Sequence, residues 1–256
     1  MIGAEGDELT VSGLLGNLQT AMRWYLPERA RAAWQPGVEG LLRTGMREGA
    51  SPSLRIAYFR AYVALACTPA ARDELTALLA IDAAVPGLVL RGAERFRVLR
   101  ALVAAADARA DRLLADESAS DRSDDGRRLA YAAEAARPDA AAKQRCFEAF
   151  LHDPLLPERW IEESVAPFNT VEQEQLTLPW LEPALRALPR LKRERRIFFV
   201  NNWLAAFVGG QRSPAALATV ERFLREEFLD PDLRRKVLEA MDGLARTVRI
   251  RATAQP

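Results

Sequence analysis

The chain has 256 residues, 49% of them hydrophobic, with 36 basic and 35 acidic side chains and a formal net charge of +1. That length and apolar content supports a sizeable buried core, and the charge balance excludes the strong field that draws nucleic acid or an anionic membrane surface. No apolar run reaches membrane-spanning length, and the start, Met1 to Glu8, is acidic and Gly-containing, unlike a secretory leader. Ala, Leu and Arg dominate and favour helix. Val11, Leu14, Leu15, Leu18, Met22 and Tyr25 share one face of a first helix. Leu54, Tyr58, Tyr62 and Leu65 do the same further on, as do Leu217, Val220, Leu224 and Phe228, and Leu233, Val237, Met241, Leu244 and Val248 mark the last helix. No segment has strand periodicity, and the short apolar run Ile197 to Val200 is left unassigned by periodicity alone.

One device recurs at the helix starts. Ser51-Pro52, Thr68-Pro69, Ser213-Pro214 and Asp230-Pro231 each place a capping oxygen before a proline. The oxygen accepts an orphan N–H, and proline lacks the N–H that would go unpaired at the first helical position. Each cap contributes about 1 kcal/mol. Ser123, followed by Asp124 and Asp125, and Asp139 after Pro138 read as two further starts, the acids being favoured by the helix dipole.

A faint echo joins Arg60-Ala61-Tyr62-Val63-Ala64-Leu65-Ala66 to Arg100-Ala101-Leu102-Val103-Ala104-Ala105-Ala106, and Leu78-Leu79-Ala80 to Leu113-Leu114-Ala115. Such offsets suit stacked helix pairs of the HEAT or armadillo class. The expected fold is all-α, a curved stack of antiparallel helix pairs forming one domain over 1–256. A bend is placed near 151–169, where Pro154, Pro157 and Pro167 are mixed with Leu155, Leu156, Trp160 and Ile161, too apolar a mix for a solvated tether. Cys67 and Cys146 are widely spaced and form no metal motif. They read as free thiols in a reducing compartment, which makes the expected location cytoplasmic.

The stretch Asp121-Arg122-Ser123-Asp124-Asp125-Gly126, then Arg137-Pro138-Asp139 with Lys143, then Phe150 to Trp160 and Val165-Ala166-Pro167-Phe168-Asn169, has an order that resembles the C-terminal helical domain of the aminopeptidase N family of zinc metallopeptidases. The likeness extends along nearly the whole chain. Leu14 to Met46 and Ser51 to Ala66 resemble successive helix pairs. Arg95-Phe96 stands where many relatives carry Arg-Trp, Phe147 stands near another family Trp, and Arg234, Glu239, Asp242 and Arg246 resemble the closing helix. The resemblance implies a domain that forms a curved wall over the active site and limits which peptides enter. It implies partners as well: the catalytic domain of a parent aminopeptidase and a peptide in the shared chamber, with zinc belonging to the parent. The chain is expected to start partway through that domain, as a secondary start, a split gene or a truncation.

The family's chemistry is not in this sequence. A His-Glu-x-x-His helix needs two histidines on one face, and His152 is the single histidine. The Gly-x-Met-Glu-Asn segment that holds a substrate's amino end is missing too, as are a Gly-rich phosphate loop and a Gly-x-Ser-x-Gly elbow. No catalytic or metal-ligating residue is assigned. His152 reads either as a general base paired with Asp153 or as a helix-end imidazole bonded to a backbone carbonyl or to solvent, the second being preferred. The cluster Asp121, Asp124 and Asp125 is read as a helix start rather than a cation site.

The basic run Arg186, Arg190, Lys192, Arg193, Arg195 and Arg196 can either hold a peptide carboxylate or form a solvated helix face, the second being favoured. Asn201 and Asn202 either cap a helix beginning at Trp203, the favoured reading, or bond a peptide backbone. The candidate peptide contacts are Arg190, Arg193, Arg196, Asn201 and Asn202. The expected function is the non-catalytic C-terminal domain of a zinc aminopeptidase, which closes the substrate chamber and stabilises the catalytic domain. The alternative is a stand-alone helical-repeat interaction scaffold.

Overall fold

The six capped helix starts anticipated from sequence all begin helices. The side-chain oxygens of Ser51, Thr68, Ser123, Asp139, Ser213 and Asp230 accept the N–H of Leu54 (3.2 Å), Ala71 (3.2 Å), Gly126 (3.0 Å), Ala142 (2.7 Å), Ala216 (3.2 Å) and Leu233 (3.1 Å). Asp7 caps one more start, through the N–H of Thr10 at 2.8 Å. In each, an oxygen three residues before an orphan N–H replaces the missing intrahelical acceptor.

The computed structural model describes residues 5–80, 85–87 and 89–253. The first four residues of the acidic start therefore lie outside the described residues. Among the described residues the fold is all-helical, without a strand. The helices are α1 (Glu8–Thr20, continued by a π-helical turn Ala21–Tyr25), α2 (Glu28–Glu48), α3 (Pro52–Leu65), α4 (Pro69–Ala80), α5 (Ala93–Ala104) and α6 (Ala110–Ser120). They are followed by α7 (Asp124–Ala135), α8 (Ala140–His152), α9 (Glu158–Phe168), α10 (Glu174–Glu194), α11 (Ile197–Phe207), α12 (Pro214–Glu226) and α13 (Pro231–Thr253). Neighbours such as α2 and α3 or α12 and α13 pack on each other, the paired stacking of the HEAT and armadillo class.

The helices group into two compact units, Met1–Arg122 and Ser123–Pro256. The first packs Leu42 and Met46 of α2, Tyr58, Phe59 and Tyr62 of α3, Leu75 of α4 and Phe96 and Leu102 of α5 into its core. Gly45 permits the close contact of α2 with α3, since a Cβ there would sit 2.3 Å from the Tyr58 ring. The second unit has an aromatic core. Phe147 lies 4.8 Å from Trp180 and 5.8 Å from Phe207 between ring centroids, and Trp203 lies 4.4 Å from Phe207. The segment 151–169 lies inside this unit, as the end of α8, a turn, and α9.

Two sequence expectations are corrected. The run Ile197 to Val200 is the first turn of α11, not a lead-in to a helix at Trp203. Phe199, Val200, Trp203, Leu204 and Phe207 form one helical stripe and are buried, which draws the helix start back to Arg196, whose carbonyl accepts the N–H of Phe199 at 3.0 Å. Asn201 and Asn202 therefore sit mid-helix on the exposed face and cap nothing. Phe228 does not continue the α12 stripe, because α12 stops at Glu226 and Phe228 is fully exposed beyond it.

α10 runs on through Pro179, Pro183 and Pro189. Pro179 and Pro183 are exposed, one turn apart. The carbonyls they leave without a helical donor are on the watered side, where losing the bond costs least.

Candidate functional site

The basic run is divided by its ion pairs. Arg186 bonds Glu182 at 2.8 Å and also pairs with Glu227, and Arg222 of α12 reaches the same Glu182 at 2.7 Å. Arg190 meets Glu194 at 3.3 Å and donates to the Leu151 carbonyl at 3.1 Å, tying α10 to the end of α8. Lys192 pairs with Asp230 (2.5 Å) and Asp232 (3.0 Å), and Arg195 with Glu158 (3.3 Å). These pairs bring the α8–α9, α10–α11 and α12–α13 links to one end of the second unit.

Of the candidate peptide contacts, Arg190 is thus engaged in packing α10 on α8. Asn201 accepts from Lys236 of α13 at 3.1 Å. Arg193, Arg196 and Asn202 are exposed, and their side chains make no hydrogen bond or ion pair among the described residues. The structure brings Arg193 and Arg196 to the same turn as the exposed Ile197 and Phe198, the latter 72% exposed. Leu155, 87% exposed, and Phe228 stand on the two adjoining links. This end offers free guanidinium groups beside apolar side chains.

The other candidates resolve into local structure. The His152 Nε2 lies 3.7 Å from Glu148 Oε2, one turn back on α8, while Asp153 accepts the N–H of Leu155 at 2.8 Å. No His152–Asp153 pair forms. Asp121 ends α6, and Asp124 and Asp125 lie in the first turn of α7, with Asp125 paired to Arg128 at 3.1 Å and to Arg159. Among the described residues no group of three or more His, Cys, Asp or Glu is placed to hold a metal ion. Among the described residues no helix is long and apolar enough to cross a membrane.

What periodicity did not reveal is a set of buried and half-buried charges, several of them at helix ends. Glu39 of α2 is buried and receives the N–H of Cys67 (2.8 Å) and Thr68 (3.0 Å), the Thr68 hydroxyl (2.5 Å) and the Gln35 amide (2.8 Å). It thereby holds the start of α4 from another helix. Burial alone raises the Glu39 pKa, but these four donors outweigh it and hold the carboxyl below its ordinary value. Glu174 repeats the device in the second unit, accepting the N–H of Arg212 (2.9 Å) and Ser213 (2.8 Å) before α12.

Glu74 of α4 gathers Arg43 (2.5 Å), Arg47 (2.6 Å) and the Tyr62 hydroxyl (2.7 Å). Burial raises its pKa, and these partners bring it down on balance. The Tyr62 phenol is pushed up by burial, then by Glu74. Asp107, bonded to Arg109 at 2.8 Å, is lowered to about 2.

Lys143 is the cationic counterpart. It is fully buried and donates to the carbonyls of Ala135 (2.9 Å) and Phe168 (2.6 Å). The caps at Thr68 and Ser213 signalled where donors would be. Their carboxylate acceptors lie 29 and 39 residues away, beyond the reach of any local pattern.

A family model described as the ERAP1-like C-terminal domain matches residues 2–246 of this chain. The chain is similar to "Aminopeptidase N" of Streptomyces lividans, 28% identical over 256 residues, an alignment covering 98% of this chain and 29% of that protein. The chain thus spans under a third of the length of that relative.

Proposed function

The chain belongs to the ERAP1-like C-terminal domain family, and from that premise we propose that it is the non-catalytic helical domain of a zinc aminopeptidase. In this reading it closes the substrate chamber and stabilises a catalytic domain that removes N-terminal amino acids from peptides. The observation that carries the proposal is the family match along almost the whole chain, combined with a donor chemistry that does not suit zinc: one exposed histidine, paired with a glutamate on its own helix. Zinc and the general base belong to the catalytic domain. All 256 residues act as one working domain, in a reducing cytoplasm that keeps Cys67 and Cys146 as thiols. Arg193, Arg196 and Asn202 are the side chains proposed to meet a peptide, because they carry donors with no intramolecular acceptor among the described residues.

The test adds the purified chain to a separately made catalytic domain that carries the zinc motif. The chain should raise the thermal midpoint of that domain and make cleavage depend on peptide length. By itself, with zinc supplied, it should not cleave an aminoacyl reporter. Metal-dependent cleavage by the isolated chain overturns the proposal. So does a failure to bind or stabilise the catalytic domain.

A second reading, a stand-alone scaffold for protein partners, is favoured by the exposed Phe198 in the first turn of α11 and the exposed Leu155 and Phe228 on adjoining links. A stable complex with a protein unrelated to peptidases, lost in a Phe198→Ser/Phe228→Ser variant, would establish it.

A further inference from the structure

α8 meets the ends of two other helices. Ala135 is the last residue of α7 and Phe168 the last of α9. Carbonyls at such positions have no acceptor role inside their own helix. Lys143, one turn into α8, reaches both, at 2.9 and 2.6 Å, and its Nζ lies 4.9 Å from the centroid of the Phe168 ring. The side chain is 0% exposed. Among the described residues no carboxylate lies within ion-pair distance of it.

The donor count bears on the charge. A neutral amine has two N–H groups, and two carbonyls receive them. An ammonium has a third N–H, for which the structure shows no third hydrogen bond, only the Phe168 ring nearby. The carbonyl ends of two helices and the ring favour the cation. Full burial without a counter-charge opposes it, and that cost is the larger when no carboxylate answers the ion. We propose that Lys143 is a proton-sensitive clamp: the junction of α7, α8 and α9 is tightest with a neutral amine and loosens when the amine takes up a proton.

The surrounding charges fit this. On α8, Cys146 lies one turn on, and the pKa of its half-buried thiol is raised, chiefly by burial. On α7, Glu134 beside Ala135 is occupied by Arg137. α9 approaches through Val165 and Phe168, both apolar and buried. Just beyond it, Glu174 at the start of α10 is taken up by the Arg212 and Ser213 N–H groups. Burial brings the Lys143 pKa down to about 7, with Cys146 acting weakly the other way.

The sign follows from linkage. Below about pH 7 the amine is protonated both folded and unfolded, and the folded chain carries the full cost of burying the charge. As pH rises past 7 the folded chain releases the proton while the unfolded chain keeps it up to about 10.4. Stability therefore rises across that window. Cys146 works in the opposite sense, because the unfolded thiol ionises first, so the measurement uses a Cys146→Ala background.

The experiment records urea midpoints of the full chain at a series of pH values from about 6 to about 10, for Cys146→Ala and for Cys146→Ala/Lys143→Met. The first should rise with pH relative to the second, and a difference that stays flat or falls overturns the clamp. Should the methionine variant fail to fold, the 13C shift of the Lys143 Cε in the Cys146→Ala protein decides. A titration midpoint below about 9 supports the proposal, whereas one near the ordinary lysine value of about 10.4, or above it, overturns it.

Discussion

The two units solve the same problem at helix ends with different amounts of burial. In the first, the buried Glu39 takes four donors at the start of α4. In the second, Glu174 takes two N–H groups at the start of α12, half-buried, with Arg212 nearby at 3.8 Å. The second unit adds a cation, Lys143, at two helix carboxyl ends, for which the described part of the first has no counterpart among its buried side chains. The lesson is electrostatic. A helix start accepts an anion and a helix end a cation, and a capping residue from a distant helix joins elements that no short-range contact would join.

That comparison can be broken or sharpened by experiment. The largest effect is expected in the aromatic core of the second unit. Trp203→Ala removes rings packed against Phe199 and Phe207 and the Nε1–H bond to the Ala184 carbonyl at 3.1 Å. Urea unfolding should show a loss of about 3–5 kcal/mol. A loss under about 1 kcal/mol would mean that this core is looser than its packing indicates.

Next come the paired caps. Glu39→Ala removes the buried acceptor of the Cys67 and Thr68 N–H groups, the Thr68 hydroxyl and the Gln35 amide, and should cost about 2–4 kcal/mol. Glu174→Ala should cost about 1–2 kcal/mol, since it takes two donors rather than four and is itself less buried than Glu39. Equal losses would show that burial does not distinguish the two.

Acid should divide the units as well. Glu39, Glu74 and Asp107 are all held below their ordinary values, Asp107 at about 2. Their stabilisation is complete above the unfolded carboxyl range and is lost as pH falls through the folded values. The lowered carboxyls of the second unit, Glu182, Asp230 and Asp232, are solvated surface groups whose contribution is screened. Hydrogen exchange followed by mass spectrometry from neutral pH down to about pH 3 should show α2–α4 losing protection before α10–α12. Loss in the reverse order would contradict the assignment of these buried and half-buried carboxylates. Asp107→Asn should flatten the acid dependence of the first unit.

The smallest effect belongs to the exposed link. Phe228→Ser should leave the unfolding midpoint within about 0.5 kcal/mol of the parent. A larger loss would mean that Phe228 packs in solution.

Much of this architecture is legible from the chain alone. A side-chain oxygen followed by proline carries its own start signal, so Ser51, Thr68, Ser213 and Asp230 could be placed without any tertiary knowledge. Where the local signals compete, the reading slipped. The two asparagines in α11 look like caps, and the stripe of Phe199, Trp203 and Phe207 overrode them by burying one face of an earlier start. Of the candidate peptide contacts, sequence located the basic run but not its division. Arg190 and Arg193 look alike in the chain, yet only Arg190 reaches the Leu151 carbonyl.

The sequence by itself determined helix, the places where helices begin, and the family likeness. Each of these rests on neighbours within a few turns, where side-chain spacing and backbone geometry suffice. Only the tertiary structure decided which charges are buried and what answers them. Glu39, Glu174 and Lys143 meet partners brought near by folding, and the free energy of a buried charge depends on what surrounds it in space rather than on what precedes it in the chain.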